Sequence, residues 1–172
     1  MTDLFDIFFL LVVVAHSSAI GLGVGASTLA ITGFLSALGN DGAIDTGERR
    51  IMGVVYFSLR VAMALIVLTS LIVWFIDPDF FGLFTAPMWI MVAVLFVNAF
   101  LMTKHWITPK LGPAIQAGTW YTLGFLITIY VFGFYPITQT LFWSFYIADL
   151  ILAVIIVNLC LKYLKWRRSR VS

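Results

Sequence analysis

The chain has 172 residues, of which 62% are hydrophobic and 10% are charged, and its formal net charge is +2. A mean hydropathy of +1.07 lies far above the range of soluble domains. This composition excludes a soluble globular enzyme. It predicts an all-α integral membrane protein, with residues 1–172 forming a single transmembrane domain.

Five apolar segments are long enough to cross a hydrocarbon core of about 30 Å, which takes roughly 20 helical residues. They lack the alternating pattern of barrel strands, and a helix pairs its own backbone groups inside lipid. The sequence therefore predicts a five-helix transmembrane bundle, followed by a basic cytoplasmic tail. The predicted spans are 7–37, 51–76, 85–103, 114–135 and 141–164, and the tail is 165–172.

Breaker residues separate the spans, and one connector carries a helix-start signal. Asp45 followed by Glu48 has the spacing of a capping box, which predicts that the second helix begins there. The acidic start of the chain lacks the positive region and cleavage site of a signal peptide, so we expect the first span to be retained.

The charges predict an orientation. Of the ten basic residues, nine fall on one side of a five-span arrangement: Arg49, Arg50, Lys104, Lys110, Lys162, Lys165, Arg167, Arg168 and Arg170. The other side holds aspartates alone: Asp3, Asp6, Asp77 and Asp79. By the positive-inside rule the N-terminus lies outside and the C-terminus in the cytoplasm of a bacterial inner membrane. Tryptophans near the span ends, Trp120 among them, agree with aromatic belts at both interfaces.

The tenth basic residue, Arg60, lies inside the second span. A central arginine costs at least about 2.5–3.5 kcal/mol unless its charge is answered. Helical rise places His16 and Asp149 at a similar depth near the midplane. Since Asp149 is the carboxylate within the spans, we expect it to pair with Arg60. The alternative interpretation is that these residues have a purely structural role and hold neighbouring helices together.

Further polar residues complete a predicted buried cluster and a predicted interface. Asn98 and Ser17 join Asp149 in the cluster, whereas Lys104 and His105 are expected at the cytoplasmic interface. His105 lies roughly 15 Å deeper than His16 by helical rise, so the two are not expected to ligate one haem iron.

Small residues follow His16 on the first span. Gly21 and Gly25 form a small-xxx-small pair with Gly23 between them. Close helix packing is one interpretation of this surface, and a flat ring lying against it is the other.

A family resemblance rests on three features. These are His16 followed by small residues, Glu48-Arg49-Arg50 at the start of the second span, and a third span that begins near Trp89 and ends in a histidine. Together they resemble the small bacterial membrane protoporphyrinogen oxidases, the related copper-resistance D type and uncharacterised membrane proteins of similar size. The resemblance covers the first three spans and implies that His16 binds haem.

The chain departs from that family early in the third span. Met91, Val92 and Ala93 stand where the family has a lysine, and the fifth span is a second departure. We therefore expect a related scaffold with a task other than porphyrinogen oxidation.

The sequence is compatible with three classes of function. The first is a haem-binding or redox-linked membrane protein, with haem b, His16 as ligand to its iron, and Arg60 answering a propionate. The second is a transporter or channel-like protein for protons or a small solute, lined by Arg60, Asp149 and His16. The third is an accessory subunit of a larger membrane complex. The expected partners are the lipid bilayer and a second copy or larger complex, without nucleic acid; whether the protein is an enzyme stays open.

Overall fold

A computed structural model describes residues 4–40, 45–108, 111–132 and 138–169. Within these ranges the chain forms five α-helices, one short 3-10 helix and no strand, which confirms the all-α prediction. The helices are α1 (Leu4–Asn40), α2 (Thr46–Ile76), α3 (Thr85–Thr103), α4 (Leu111–Phe132) and α5 (Gln139–Arg168), with the 3-10 helix at Gly82–Phe84.

Each helix contains most of one predicted span. The end of the fourth span, 133–135, lies outside the described residues, as do residues 170–172 of the predicted tail. The tail itself begins as helix, because α5 continues to Arg168.

Four of the helices are long and apolar enough to cross a membrane: α1, α2, α3 together with its preceding 3-10 turn, and α5. Helix α4 carries three polar side chains, Gln116, Thr119 and Thr122, within its apolar sequence. These three side chains are buried, and α4 packs against α1, α3 and α5. The neighbouring helices therefore cover its polar groups, so α4 does not need an apolar surface on every side.

Contacts between the ends of the helices define an acidic end of the bundle. The rings of Phe9 and Phe80 lie 5.1 Å apart, and Gln139 donates a 2.9 Å hydrogen bond to the Leu83 carbonyl. The start of α1, the α2–α3 connection and the start of α5 therefore meet. The aspartates of this end are Asp6, Asp77 and Asp79.

The opposite end of the bundle is the basic end. It gathers the second half of α1, the first half of α2, the end of α3 and the start of α4, and residues of all four line one cavity. Arg49, Arg50 and Lys104 belong to these segments. The charge asymmetry of the sequence is thus a separation between the two ends of the folded bundle.

The predicted capping box is confirmed at the start of α2. The Asp45 carboxylate accepts a hydrogen bond from the Glu48 amide at 2.7 Å, and the Glu48 carboxylate accepts one from the Asp45 amide at 3.0 Å. Two amides that the helix cannot pair are satisfied in this way, which fixes where α2 begins.

A Schellman motif ends α3 and places His105. The His105 amide donates to Met102 at 3.1 Å, and the Trp106 amide donates to Leu101 at 2.9 Å. His105 has a φ of 57°, the left-handed conformation that this motif requires and that histidine tolerates better than most residues. The Trp106 ring packs on Phe100 with centroids 5.9 Å apart, the apolar contact that usually accompanies the motif.

The closest approach between α1 and α4 occurs at Gly23. A Cβ atom at Gly23 would overlap the indole of Trp120, which is 0% exposed. The prediction that Trp120 belongs to an interfacial belt is therefore wrong. Gly21 and Gly25 are exposed, and a Cβ atom at either one would meet nothing within 4 Å.

Gly23→Ala should destabilise the bundle by about 1–3 kcal/mol, because the added methyl group has to displace a fully enclosed indole. Gly21→Ala is the matched control, and it should change the free energy of unfolding by less than about 0.5 kcal/mol. Unfolding of both variants in mixed detergent micelles measures this difference. Equal effects at the two positions would contradict the packing.

Candidate functional site

A cavity of about 390 Å³ lies at the basic end of the bundle. Its volume falls within the range of small-molecule sites, roughly 300–1,000 Å³. Apolar side chains such as Leu59 and Met63 form much of its wall, and Arg60, His105 and Gln116 provide polar groups. An apolar wall with a few polar groups is the usual composition of a ligand site. The lining residues are Ser27, Ala30, Phe34, Tyr56, Leu59, Arg60, Met63, Ala99, Met102, Thr103, His105, Ile107, Thr108, Pro113 and Gln116.

Arg60 reaches this cavity from the edge of α2. Its neighbours Leu59 and Met63 are buried in the core, at 5% exposure each, whereas Arg60 itself is exposed. Among the described residues Arg60 forms no ion pair. The guanidinium is therefore a charged group at the wall of a largely apolar space.

Gln116 is held in place by Asn98. The Asn98 amide nitrogen donates to the Gln116 side-chain oxygen at 3.0 Å and to the Gly112 carbonyl at 2.9 Å. Both hydrogens of that nitrogen are used, which ties α3 to the first turns of α4. Asn98 is 3% exposed, so this pair belongs to the inner wall of the site.

His16 lies elsewhere, packed between α1 and α2. It is 2% exposed, and its Nδ1 is 3.0 Å from the Thr69 hydroxyl oxygen. The Thr69 hydroxyl oxygen is also 2.7 Å from the Leu65 carbonyl, and when its hydrogen is donated there, Nδ1–H is the donor to Thr69. That assignment leaves Nε2 with a free electron pair in the neutral ring.

The structure separates His16 from Arg60. Thr69, the partner of His16, is nine residues from Arg60 on α2, which corresponds to about 13 Å of helical rise. His16 also packs against the Phe81 ring, with centroids 5.4 Å apart, and so lies toward the acidic end. Along α2, Arg60 therefore lies at a different depth from the residue that His16 contacts, contrary to the expectation that the two share one layer.

The surroundings of His16 do not accommodate a haem in this conformation. A ligating histidine commonly donates its second nitrogen to a hydrogen-bond acceptor, and the bond to Thr69 has that form. However, Phe81 covers the ring, and the Gly23 surface on the same helix is filled by Trp120. The flat ring that packs against Gly23 is therefore the protein's own indole, whereas Gly21 and Gly25 are exposed. Haem ligation by His16 stays a prediction, and it requires these side chains to move.

Asp149 is paired with α4. Its carboxylate accepts a 2.8 Å hydrogen bond from the Thr122 hydroxyl, and the side chain is half-buried. Helix α5 packs against α4 and α1, whereas α2 packs mainly against α1 and also against α3. Arg60 lies on α2 and Asp149 on α5, and these two helices are not main packing partners. The two residues form no ion pair with each other.

The remaining predicted residues occupy separate places. Ser17 bonds to the Val13 carbonyl of its own helix at 3.0 Å and ties no helices together. Lys104 and His105 are exposed at the basic end, with the Lys104 ammonium 5.9 Å from the Phe100 ring centroid. A buried polar cluster is present, and within it Ser17, Asn98 and Asp149 each have a different hydrogen-bond partner.

Sequence reasoning missed Gln116 and the two threonine partners. Gln116 is an amide within an apolar segment and could have been recognised by that property alone. Thr69 and Thr122 offer no such signal, because threonines in spans usually bond to their own helix backbone.

Thr69→Val should lower the free energy of unfolding by about 0.5–2 kcal/mol, because it leaves the buried Nδ1–H of His16 without an acceptor. Thr32→Val is the matched control, since exposed Thr32 bonds only to carbonyls of its own helix, Thr28 and Leu29. Detergent unfolding measures both variants. A Thr69→Val effect no larger than that of the control would show that the pair contributes nothing.

Comparison of the chain with protein-family models, with curated proteins and with solved structures finds no match in any of the three. The resemblance to the membrane protoporphyrinogen oxidases thus stays a prediction. The cavity lined by Arg60 is the feature of the structure that bears on function.

Proposed function

We propose that this multi-pass membrane protein binds an anionic amphiphile, a molecule with an acid group on an apolar body, in the cavity beside Arg60. The proposal includes five spans in a bacterial inner membrane, with the basic end in the cytoplasm. Exposed Arg49, Arg50 and Lys104 at one end, against aspartates at the other, support this orientation by the positive-inside rule.

One observation carries the proposal: Arg60 lines the cavity without an ion-pair partner among the described residues. The guanidinium stays charged at any physiological pH. A charge without a counter-ion among apolar groups in a membrane has an unfavourable free energy, and an anionic ligand would lower it. An acid group is therefore the chemistry that Arg60 selects.

The rest of the cavity fits the body of such a ligand. Leu59, Met63 and Met102 provide apolar and flexible wall, and methionine adapts to irregular shapes. Gln116, fixed by Asn98, and the neighbouring Tyr56 provide hydrogen-bonding groups. A carboxylate on an apolar chain or ring would be held by its charge at Arg60 and by burial elsewhere.

Haem b belongs to this class, since it carries carboxylates on an apolar ring. Within the proposal its propionate would meet Arg60, and His16 would be reached only after rearrangement of Phe81. Other members of the class, such as long-chain carboxylic acids, need no such rearrangement.

Arg60→Gln should weaken the binding of cis-parinaric acid, a fluorescent long-chain carboxylate, by roughly ten- to a hundredfold. The reason is the loss of a charge-assisted hydrogen bond worth about 1.5–3 kcal/mol. Fluorescence titration of the purified protein in micelles measures the dissociation constant. The methyl ester of the same acid should bind wild type and variant alike.

Arg49→Gln is the matched control for lost charge, because Arg49 lies exposed at the start of the same helix. It should leave carboxylate binding unchanged. Equal weakening by Arg49→Gln, or equal weakening of the ester by Arg60→Gln, would reject a specific acid-binding role for Arg60.

The haem prediction has its own test. Protein purified from cells with adequate haem supply should show a Soret band and a reduced-minus-oxidised difference spectrum if haem is the ligand, and His16→Leu should remove or shift them. A wild-type protein without a Soret band would eliminate haem and leave the carboxylate proposal to the fluorescence titration.

A further inference from the structure

Asp149 is a carboxyl group in the middle of α5 that the cavity does not use. It lies ten residues after Gln139, about 15 Å along the helix from the acidic end. Its side chain is half-buried against α4, within one of the helices apolar enough to span a membrane.

Thr122 is the hydroxyl that donates to Asp149, at 2.8 Å. The nearby Tyr146 hydroxyl is 3.0 Å from Thr119, whose own hydrogen goes to the Ile115 carbonyl at 2.8 Å. With the Thr119 hydrogen on Ile115, Tyr146 donates to Thr119, and no hydrogen bond joins Tyr146 to Asp149 among the described residues. Among the described groups, the carboxylate has one hydroxyl donor.

Within the described part of the chain, the helices packed against α5 supply no cation to Asp149. Helix α4 carries no charged residue. Of its tyrosines, Tyr121 bonds to Thr28 on α1 at 2.6 Å, and the side chain of Tyr130 lies outside the described part of the chain.

The titratable groups of α1 either lie far from Asp149 or have a hydrogen-bond partner on another helix. Asp6 lies at the acidic end, and His16 is bonded to Thr69 of α2. On α5 itself, Tyr146 is the titratable group that interacts with Asp149, and it is not cationic.

A carboxylate with one hydroxyl donor and no cation is poorly stabilised in an apolar surrounding, whereas the neutral acid loses far less on leaving water. We propose that Asp149 and Thr122 form a proton-binding site within the membrane. Asp149 takes up one proton from water and becomes a neutral acid, with no electron transfer. This inference does not depend on the cavity at Arg60.

N,N′-Dicyclohexylcarbodiimide is a suitable probe, because it enters apolar regions and reacts with protonated carboxyl groups. The acid O–H adds across one C=N bond, and the O-acylisourea rearranges to an N-acylurea without loss of atoms. The full-length protein in micelles should gain the mass of the whole reagent, on the peptide that contains Asp149. Labelling should decline as the pH is raised.

Two variants and one control sharpen this test. Asp149→Asn should lose the adduct, while Asp79→Asn, which changes an exposed carboxylate at the acidic end, should retain it. Thr122→Val removes the donor that stabilises the ionised form, so its labelling should persist to higher pH than that of wild type.

Peptide mapping of the wild-type protein decides the matter even if a variant fails to fold. An adduct on Asp77 or Asp79 in place of Asp149, or labelling of Asp149 that does not change with pH, would overturn the proposal. Absence of any Asp149 adduct would overturn it too, as expected if a basic residue of a second chain kept the carboxylate ionised.

Discussion

The packing of Trp120 against Gly23 is the contact on which the bundle depends. A glycine on α1 lets the indole of α4 lie against the helix backbone, and the indole is fully enclosed there. This close approach keeps α4 against α1, while α3 and α5 cover its other sides. A helix with amide and hydroxyl side chains can then reside in an apolar protein, because its neighbours provide their partners.

Polar groups inside the bundle pair locally. His16 bonds to Thr69, Asn98 to Gln116, and Asp149 to Thr122, each pair joining two helices. A short hydrogen bond to the nearest helix satisfies a buried polar group without assembling distant charges. This explains why residues of similar depth along the sequence do not converge on one site.

Arg60 and Asp149 differ in how their charges can be compensated. Arg60 is exposed on a cavity wall and keeps its charge, so the chemistry it invites is that of an anion. Asp149 is the charge that can be removed by a proton, and its hydroxyl partner leaves that option open. The two proposals differ for this reason: an arginine keeps its charge and needs an anion beside it, whereas an acid in the same medium can take up a proton.

The sequence by itself determined the helices, their approximate ends and the charge difference between the two ends. Hydrophobic run length, the Asp45 and Glu48 capping pair and the positions of the basic residues are local properties. Only the tertiary structure decided which polar groups meet. The rotation of each helix and the choice of its neighbours depend on the fit of side chains, as at Gly23 and Trp120. The depth of a residue, calculated from helical rise, gives neither the rotation nor the neighbours. For that reason the sequence identified Arg60 as a charged residue within a span, but it did not predict the cavity beside Arg60 or the hydrogen bond between Asp149 and Thr122.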